Sequence, residues 1–198
     1  MIAKLLRPAI LLTFVFIIVT GFVYPGIVTA VARLVFPHQA SGSLVNQNAR
    51  VVGSRLIGQQ FNQPWYFHPR PSAAGDGYDA TASGGTNKGP TDRKLADTLI
   101  AGAIAQAESA GAPKGRVPSD MATSSASGLD PHISPANALF QVARVAAARG
   151  VDSTQVRDLA LHYVEPRQFG FLGEPRVNVL ALNIALDNAF PYRAAARR

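Results

Sequence analysis

The sequence predicts an α+β protein: one N-terminal transmembrane helix, then a single extracytoplasmic domain with a few short strands and about four helices. Three observations predict it. From Pro8 to Ala32 no residue is charged and nearly all are apolar. Residues 50 to 67 hold short β-prone runs broken by glycine, and from Thr91 onward apolar residues recur at helical spacing between recognisable start and stop residues. The 198 residues suffice for one medium domain plus an extra element. Hydrophobic residues make up 47% and charged residues 16%, against about a quarter charged in an ordinary soluble domain, so part of the chain is expected to avoid water.

The first element, residues 1–35, reads as a membrane anchor whose span is about residues 8–32. At about 1.5 Å per residue the run reaches roughly 37 Å as a helix, enough for the roughly 30 Å of hydrocarbon in a bilayer. Lys4 and Arg7 precede it and Arg33 follows. Positive charge stays on the cytoplasmic side, which predicts a cytoplasmic N-terminus and an exported remainder. Tyr24 with Pro25-Gly26 is expected to bend the helix, and Thr13, Thr20 and Gly21 suit packing on other helices. A cleaved signal peptide is the alternative, since Ala30-Val31-Ala32 has the form of a cleavage site, although the apolar core is long for one. Either way the rest of the chain is expected outside the cytoplasm.

Residues 36–49 are polar and read as a linker, and residues 50–190 as the extracytoplasmic domain. Within it Val51-Val52, Leu56-Ile57 and the aromatic run at 64–67 predict two or three short strands. The run from His68 to Thr91 is dense in Gly, Pro, Ser and Asn, which makes it either disordered or an ordered loop tied to something; Tyr78 and Asn87 favour order. Thr91 is expected to cap a helix of about 16 residues carrying Leu95, Leu99, Ala103 and Ile104 on one face and ending near Gly111. A connector follows. Ser134 and Pro135 open a helix that Gly150 stops, Ser153 caps another that ends before Pro166, and Asn178 caps a last one over residues 179–190. Residues 191–198, with Arg193, Arg197 and Arg198, read as a basic tail.

The formal charge of +7 comes from 19 basic and 12 acidic residues. Three of the basic ones flank the anchor and the others are scattered, with no basic stripe interleaved with aromatics, so nucleic acid is not expected as a partner. Cysteine is absent, so an exported domain must hold itself by core burial. The four histidines lie far apart without metal-ligand spacing, and no metal is expected. The loop GGTNKG at 84–89 lacks the spacing of a nucleotide-binding loop.

The densest cluster of reactive residue types is SSASGLDPHIS, residues 124–134. Ser127, His132 and Asp130 allow a serine-hydrolase reading if they converge in space after signal cleavage. Against it, the chain has no G-x-S-x-G elbow and no S-x-x-K. As structure, the same residues make a shaped turn before a helix: Gly128 kinks the backbone, Asp130 bonds backbone amides, Pro131 fixes φ and Ser134-Pro135 start the helix. Gln141, Arg144 and Arg149 read as solvated or capping helix residues.

Six blocks taken in order give a more specific expectation. They are the anchor ending in YPGIV, GSRLIGQQF at 53–61, WYFHPRPSA at 65–73, YDATASGGTNKGPTD at 78–92, the run from Val117 to Gly150, and GFLGEPRVNVLALNIALD at 170–187. Together they resemble the C subunit of the Kdp-type potassium-transporting ATPase over nearly the whole chain. The resemblance implies a non-catalytic accessory subunit of an ATP-driven potassium uptake complex in the cell membrane. Its implied partners are a potassium-channel-like subunit, a P-type ATPase subunit and a small membrane subunit. It also implies a catalytic-chaperone role that raises the ATP affinity of the hydrolysing subunit, with ATP reached only through that subunit and no cofactor of the chain's own. The chain has no D-K-T-G, the phosphorylation motif of the hydrolysing subunit. Under the resemblance Tyr78, Ser83, Gly84, Asn87, Ser127, Gly128, Asp130, His132 and Gln141 are interface or loop-shaping residues, with no catalytic residue among them.

Overall fold

The computed structural model describes residues 2–102, 104–105 and 117–192. The chain divides into two compact units, Met1–Val52 and Gly53–Arg198. The helix end expected near Gly111, Ala103, most of the following connector and the tail from residue 193 lie outside the described residues.

In the first unit, α1 (Ile2–Ile18), a π-type stretch Val19–Val23 and α2 (Tyr24–Val35) follow one another without a break. Within the 31 residues Leu5–Val35 an 18-residue window has a mean hydropathy of 2.3, and none of that window is buried by the rest of the chain, so the helix is long and apolar enough to cross a membrane. The irregularity expected at Pro25-Gly26 takes the form of a change in hydrogen-bond register one turn earlier. Pro25 has no N–H to give Gly21, and its ring would crowd that carbonyl. The Tyr24 N–H bonds Val19 O, five residues back, which widens the turn. The Thr20 hydroxyl donates to Phe16 O at 2.6 Å and ties the turn below.

The stretch 36–49 carries a helical turn, α3 (Pro37–Ala40), and a strand, β1 (Leu44–Gln47). It pairs with β2 (Arg50–Ser54), whose last residues begin the second unit. Asn48 and Ala49 between them have φ of 50° and 62°, the mirror-image turn whose twist matches a two-residue hairpin.

In the second unit two expected strands are absent among the described residues. Residues 55–57 and 63–66 form turns, the latter closed by the Tyr66 N–H on Gln63 O at 3.1 Å. Pro64 donates nothing to a ladder, and side chains take the backbone groups that follow. The glycine-rich run to Thr91 is an ordered loop without regular structure. A π-type helical stretch, Leu95–Ile100, comes next, and its cap is Asp92 rather than the expected Thr91. The Asp92 carboxylate accepts the Lys94 and Leu95 amides at 2.8 and 3.2 Å.

After α4 (Ser119–Ala122) come β3 (His132–Ile133), α5 (Pro135–Arg149), α6 (Ser153–His162), β4 (Val164–Glu165), β5 (Arg176–Asn178) and α7 (Val179–Ala189). α5 begins as its sequence dictates: the Ser134 hydroxyl accepts the Asn137 amide, Pro135 stands at the first position, and Gly150 at φ 67° ends the helix. α6 is capped by Asp152, whose carboxylate accepts the Thr154 amide, one residue before the expected Ser153. Asn178 caps α7 as expected.

The sheet runs β3-β5-β4, all antiparallel, with Ile133 and Val164 flanking Val177. Its strands are only two or three residues long, and α5, α6 and α7 supply most of the core against it. Val145, Val156, Val177, Leu182 and Leu186 have no exposed surface, and burial of each contributes about 2 kcal/mol.

Candidate functional site

Asp130 sits where three loop segments meet. Its carboxylate accepts the His132 amide at 2.9 Å, an Asx turn that sets the entry to β3. The Arg70 guanidinium reaches the other oxygen at 3.2 Å, and His132 Nδ1 lies 3.4 Å from the first. Burial pushes this carboxyl up, but hydrogen bonds from the His132 ring and amide, with the charges of His132 and Arg70, outweigh it and hold Asp130 below the ordinary carboxylate range. Arg70 also donates to Thr123 O and Ser124 O at 3.3 and 3.4 Å, which fixes residues 123–124 against the loop.

The glycine-rich loop folds back onto this turn. The Ser72 hydroxyl donates to Gly128 O at 2.6 Å and accepts the Tyr78 and Ala74 amides. The Tyr78 hydroxyl donates to Arg70 O at 2.7 Å. Burial first, and then the Asp130 charge, raise the phenol far above its ordinary value, so it stays a neutral donor. The Gly84 amide and the Ser83 hydroxyl both donate to Ser127 O, at 2.9 and 3.0 Å. The Gly58 amide donates to Leu129 O at 2.8 Å. Gly128, at φ 67°, lies so close to the Ala74 amide and Gly84 O that a Cβ would stand 2.7 Å from each. Only glycine fits there.

Residues 67–68 are held differently. Buried Asn183 on α7 accepts the Phe67 amide and donates to the Phe67 carbonyl, both at 2.9 Å. Buried Gln141 on α5 does the same for His68, at 2.7 and 3.0 Å. Two side-chain amides thus replace the neighbouring strand that these backbone groups would otherwise need. Gln141 also takes a bond from Arg144 and gives one to Asn137, which in turn donates to Asp120. Burial and the nearby Arg144 charge lower His68, which keeps the ring neutral. Burial alone brings the Arg144 guanidinium down to about 10, still charged at neutral pH.

Of the sequence-predicted residues, Tyr78, Ser83, Gly84, Ser127, Gly128, Asp130 and His132 come together in this clasp. Gln141 joins it through the segment His68–Arg70. Asn87, at φ 53°, lines a separate recess of about 350 Å³ with Lys88 and Ser124 to Ala126. The Ser127 hydroxyl accepts the Leu129 amide at 3.1 Å and pairs with Ser125; among the described residues no hydrogen bond joins it to His132. Gln141 and Arg149, read from sequence as solvated or capping, are corrected. Gln141 is 2% exposed. The Arg149 side chain is fully covered and donates to Trp65 O, Phe190 O and Asp187. Sequence reasoning missed Arg70, Ser72, Asp120, Asn137 and Asn183. For Asn137 and Asn183 there was a signal, a polar amide on the apolar face of a helix.

Among the described residues every buried side-chain nitrogen or oxygen has a hydrogen-bond partner. The arrangement spends its polar groups on fixing loops. Residues 6–188 match the family described as KdpC, K+-transporting ATPase, c chain. The chain is 56% identical over 184 residues to the potassium-transporting ATPase KdpC subunit of Gemmatimonas aurantiaca, covering 92% of either chain. It is 53% identical over 189 residues to that of Koribacter versatilis, covering 95% of this chain and 96% of that one. The KdpC subunit of Rhodospirillum rubrum is 50% identical over 188 residues, with 95% and 97% covered.

Proposed function

The chain belongs to the KdpC family, the c chains of K+-transporting ATPase, and from that premise we propose that it is a non-catalytic accessory subunit that assembles and stabilises an ATP-driven potassium pump. Its partners are a channel-like subunit that takes up potassium, a P-type subunit that hydrolyses ATP, and a small membrane subunit. The observation that carries the reading is the apolar helix Leu5–Val35, whose membrane-length window is not buried by its own chain, joined to a domain in which, among the described residues, the buried polar side chains are paired internally. Such a helix needs lipid or other helices around it, and among the described residues the buried polar side chains of the domain are engaged in holding its own loops.

Lys4 and Arg7 keep the N-terminus in the cytoplasm, and residues 50–190 work outside as one domain behind the anchor of residues 1–35 and the connecting residues 36–49. Tyr78, Ser83, Gly84, Asn87, Ser127, Gly128, Asp130, His132 and Gln141 shape the loops of that domain. The subunit also acts as a catalytic chaperone that raises the ATP affinity of the hydrolysing subunit. A domain on the outer side cannot reach cytoplasmic ATP, so this coupling runs through the membrane helix to its partners.

The test is isolation of the tagged full chain from potassium-starved cells in gentle detergent. A channel-like protein and a P-type ATPase should accompany it, with potassium-stimulated ATP hydrolysis in the eluate. Recovery of the chain alone contradicts the assembly role. Replacing Leu5–Val35 by an unrelated apolar helix should weaken ATP affinity in the assembled pump, and an unchanged affinity refutes the coupling route.

A further inference from the structure

The segment from Gln63 to His68 is held to α5 and α7 by side chains. The Pro64 carbonyl accepts from Arg144 and the Trp65 carbonyl from Arg149, and the Tyr66 hydroxyl donates to Asp187. Asn183 and Gln141 grip Phe67 and His68 at both backbone groups. The segment closes on itself through the His68 ring, whose Nε2 lies 2.9 Å from Gln63 O. A contact that short between a ring nitrogen and a carbonyl assigns a proton to Nε2. A second proton must then go to Nδ1, and the ring is badly placed to hold it, because Arg144 Nη1 stands 3.4 Å from the same Nε2. An imidazolium there is a cation beside a guanidinium, half out of water.

The other charged groups around the ring offer it no counter-charge. Among the described residues no carboxylate forms an ion pair with His68, whereas His132 Nδ1 has Asp130 at 3.4 Å. His68 borders a polar recess of about 260 Å³ with Arg70, Asp76 and Tyr78, which lets solvent protons reach the ring. Arg70 there is paired with Asp130, and the Tyr78 hydroxyl bonds Arg70 O. On α4, Asp120 spends its carboxylate on Ser134 and Asn137. Asp187 is bonded to Arg149 at the Tyr66 end of the segment.

We propose that Gln63–His68 is an acid-released strap: when His68 takes a second proton, the ring and Arg144 part, and the six residues lift from α5 and α7 as a unit while the turn around Asp130 stays closed. Arg144 is the member through which release spreads. It donates to the Pro64 carbonyl and to Gln141 Oε1, the same oxygen that accepts the His68 amide, so its displacement loosens both ends of the strap. Phe67, fully buried, keeps the strap closed near neutral pH, and release is a local opening below the cost of global unfolding. The sign follows from the ring. Burial and the Arg144 charge lower its proton affinity in the closed strap from the ordinary 6.5, so the open strap takes the proton first and gains population as pH falls below 6.5. With the domain outside the cytoplasm, as proposed above, the pH that it answers to is that of the cell's surroundings; the release itself does not depend on that placement or on the assembly role.

Amide exchange of the full chain in detergent, followed from pH 7.5 to 5 and corrected for the intrinsic pH dependence of exchange, tests it. The Tyr66, Phe67 and His68 amides, bonded to Gln63 O, Asn183 and Gln141, report the strap. Their protection should fall about tenfold per pH unit below about 6.5 until the ring's own folded value is reached, and should depend little on low denaturant. The Gly58 and Gly84 amides, bonded to the 127–130 turn, should stay the better protected at every pH. His68→Gln should remove the slope. Strap amides that share the pH and denaturant dependence of global unfolding overturn the inference, and so does a slope that survives in His68→Gln. Titration of the His68 ring by NMR in the unsubstituted chain keeps the test sharp should that variant fail to fold: its midpoint should lie below 6.5, and a ring that titrates at 6.5 with the strap still protected overturns the inference as well.

Discussion

The glycine-rich loop at 68–91 and the hairpin tip at 168–173 draw on similar residues, glycines with an aromatic in the left-handed region, and use them in opposite directions. In the first, Tyr78 at φ 57° turns its ring inward, where its hydroxyl bonds Arg70 O and its amide bonds Ser72. In the second, Phe169 at φ 53° turns its ring out, with 80% of the residue exposed. The first loop is bound into the fold by polar bonds to residues 127–130. The second is held by its own short-range backbone bonds and an ion pair at its base, and its apolar atoms face solvent. Unusual backbone geometry therefore supports the fold in one place and presents a surface in the other, and the direction of the side chain tells them apart.

The largest effect should come from the clasp. Gly128→Ala forces a Cβ to within 2.7 Å of two backbone atoms at a positive φ, and should destabilise the domain by about 4 kcal/mol. Denaturant unfolding of the full chain in detergent measures it. Gln141→Leu strands the His68 amide and carbonyl and a bond to Asn137, and about 3 kcal/mol should be lost in the same assay.

A smaller effect appears on acidification. His68 is lowered from 6.5 by burial and by Arg144, so its contribution is complete above about pH 6.5 and declines as pH falls toward the folded value, where the unfolded chain takes up the proton first. Asp130 lies below 3.8 in the folded state; its contribution is complete above about pH 4 and goes only as pH falls through that lower value. Unfolding midpoints in a pH series should therefore begin to drop below about 6.5, and His68→Gln should flatten that upper limb alone. The smallest effect is at the tip, where Phe169→Ser/Phe171→Ser should change unfolding free energy by at most about 0.5 kcal/mol. A large loss there would mean that the tip also supports the fold.

The helices were legible in the sequence because their signals are local. Ser134-Pro135 and Gly150 bound α5, Asn178 opens α7, and the uncharged run marks the apolar helix. Caps shifted by one residue where an aspartate stood beside the expected Thr91 or Ser153, since a carboxylate competes well for the same amides. The sheet was not legible, because strands of two or three residues carry no alternation. The run at 64–67 misled because its β-prone aromatics bury or stack without a ladder: Phe67 is fully buried between helices, and Trp65 stacks on Tyr192 at 4.1 Å. Of the clasp, Tyr78, Gly128 and Asp130 could be named from residue type, but Asn183 and Gln141 act across 116 and 73 residues. No local pattern reports such a pairing.

Hydrogen exchange, followed by peptide in the free detergent-solubilised chain and in the assembled pump, tests the division between inward and outward loops most directly. Amides of 72–84 and 127–132 should be protected to the same degree in both states, while those of 167–174 should exchange faster than either in the free chain. Exchange of 72–84 as fast as that of 167–174 in the free chain, or protection of 72–84 that appears only in the complex, would contradict it.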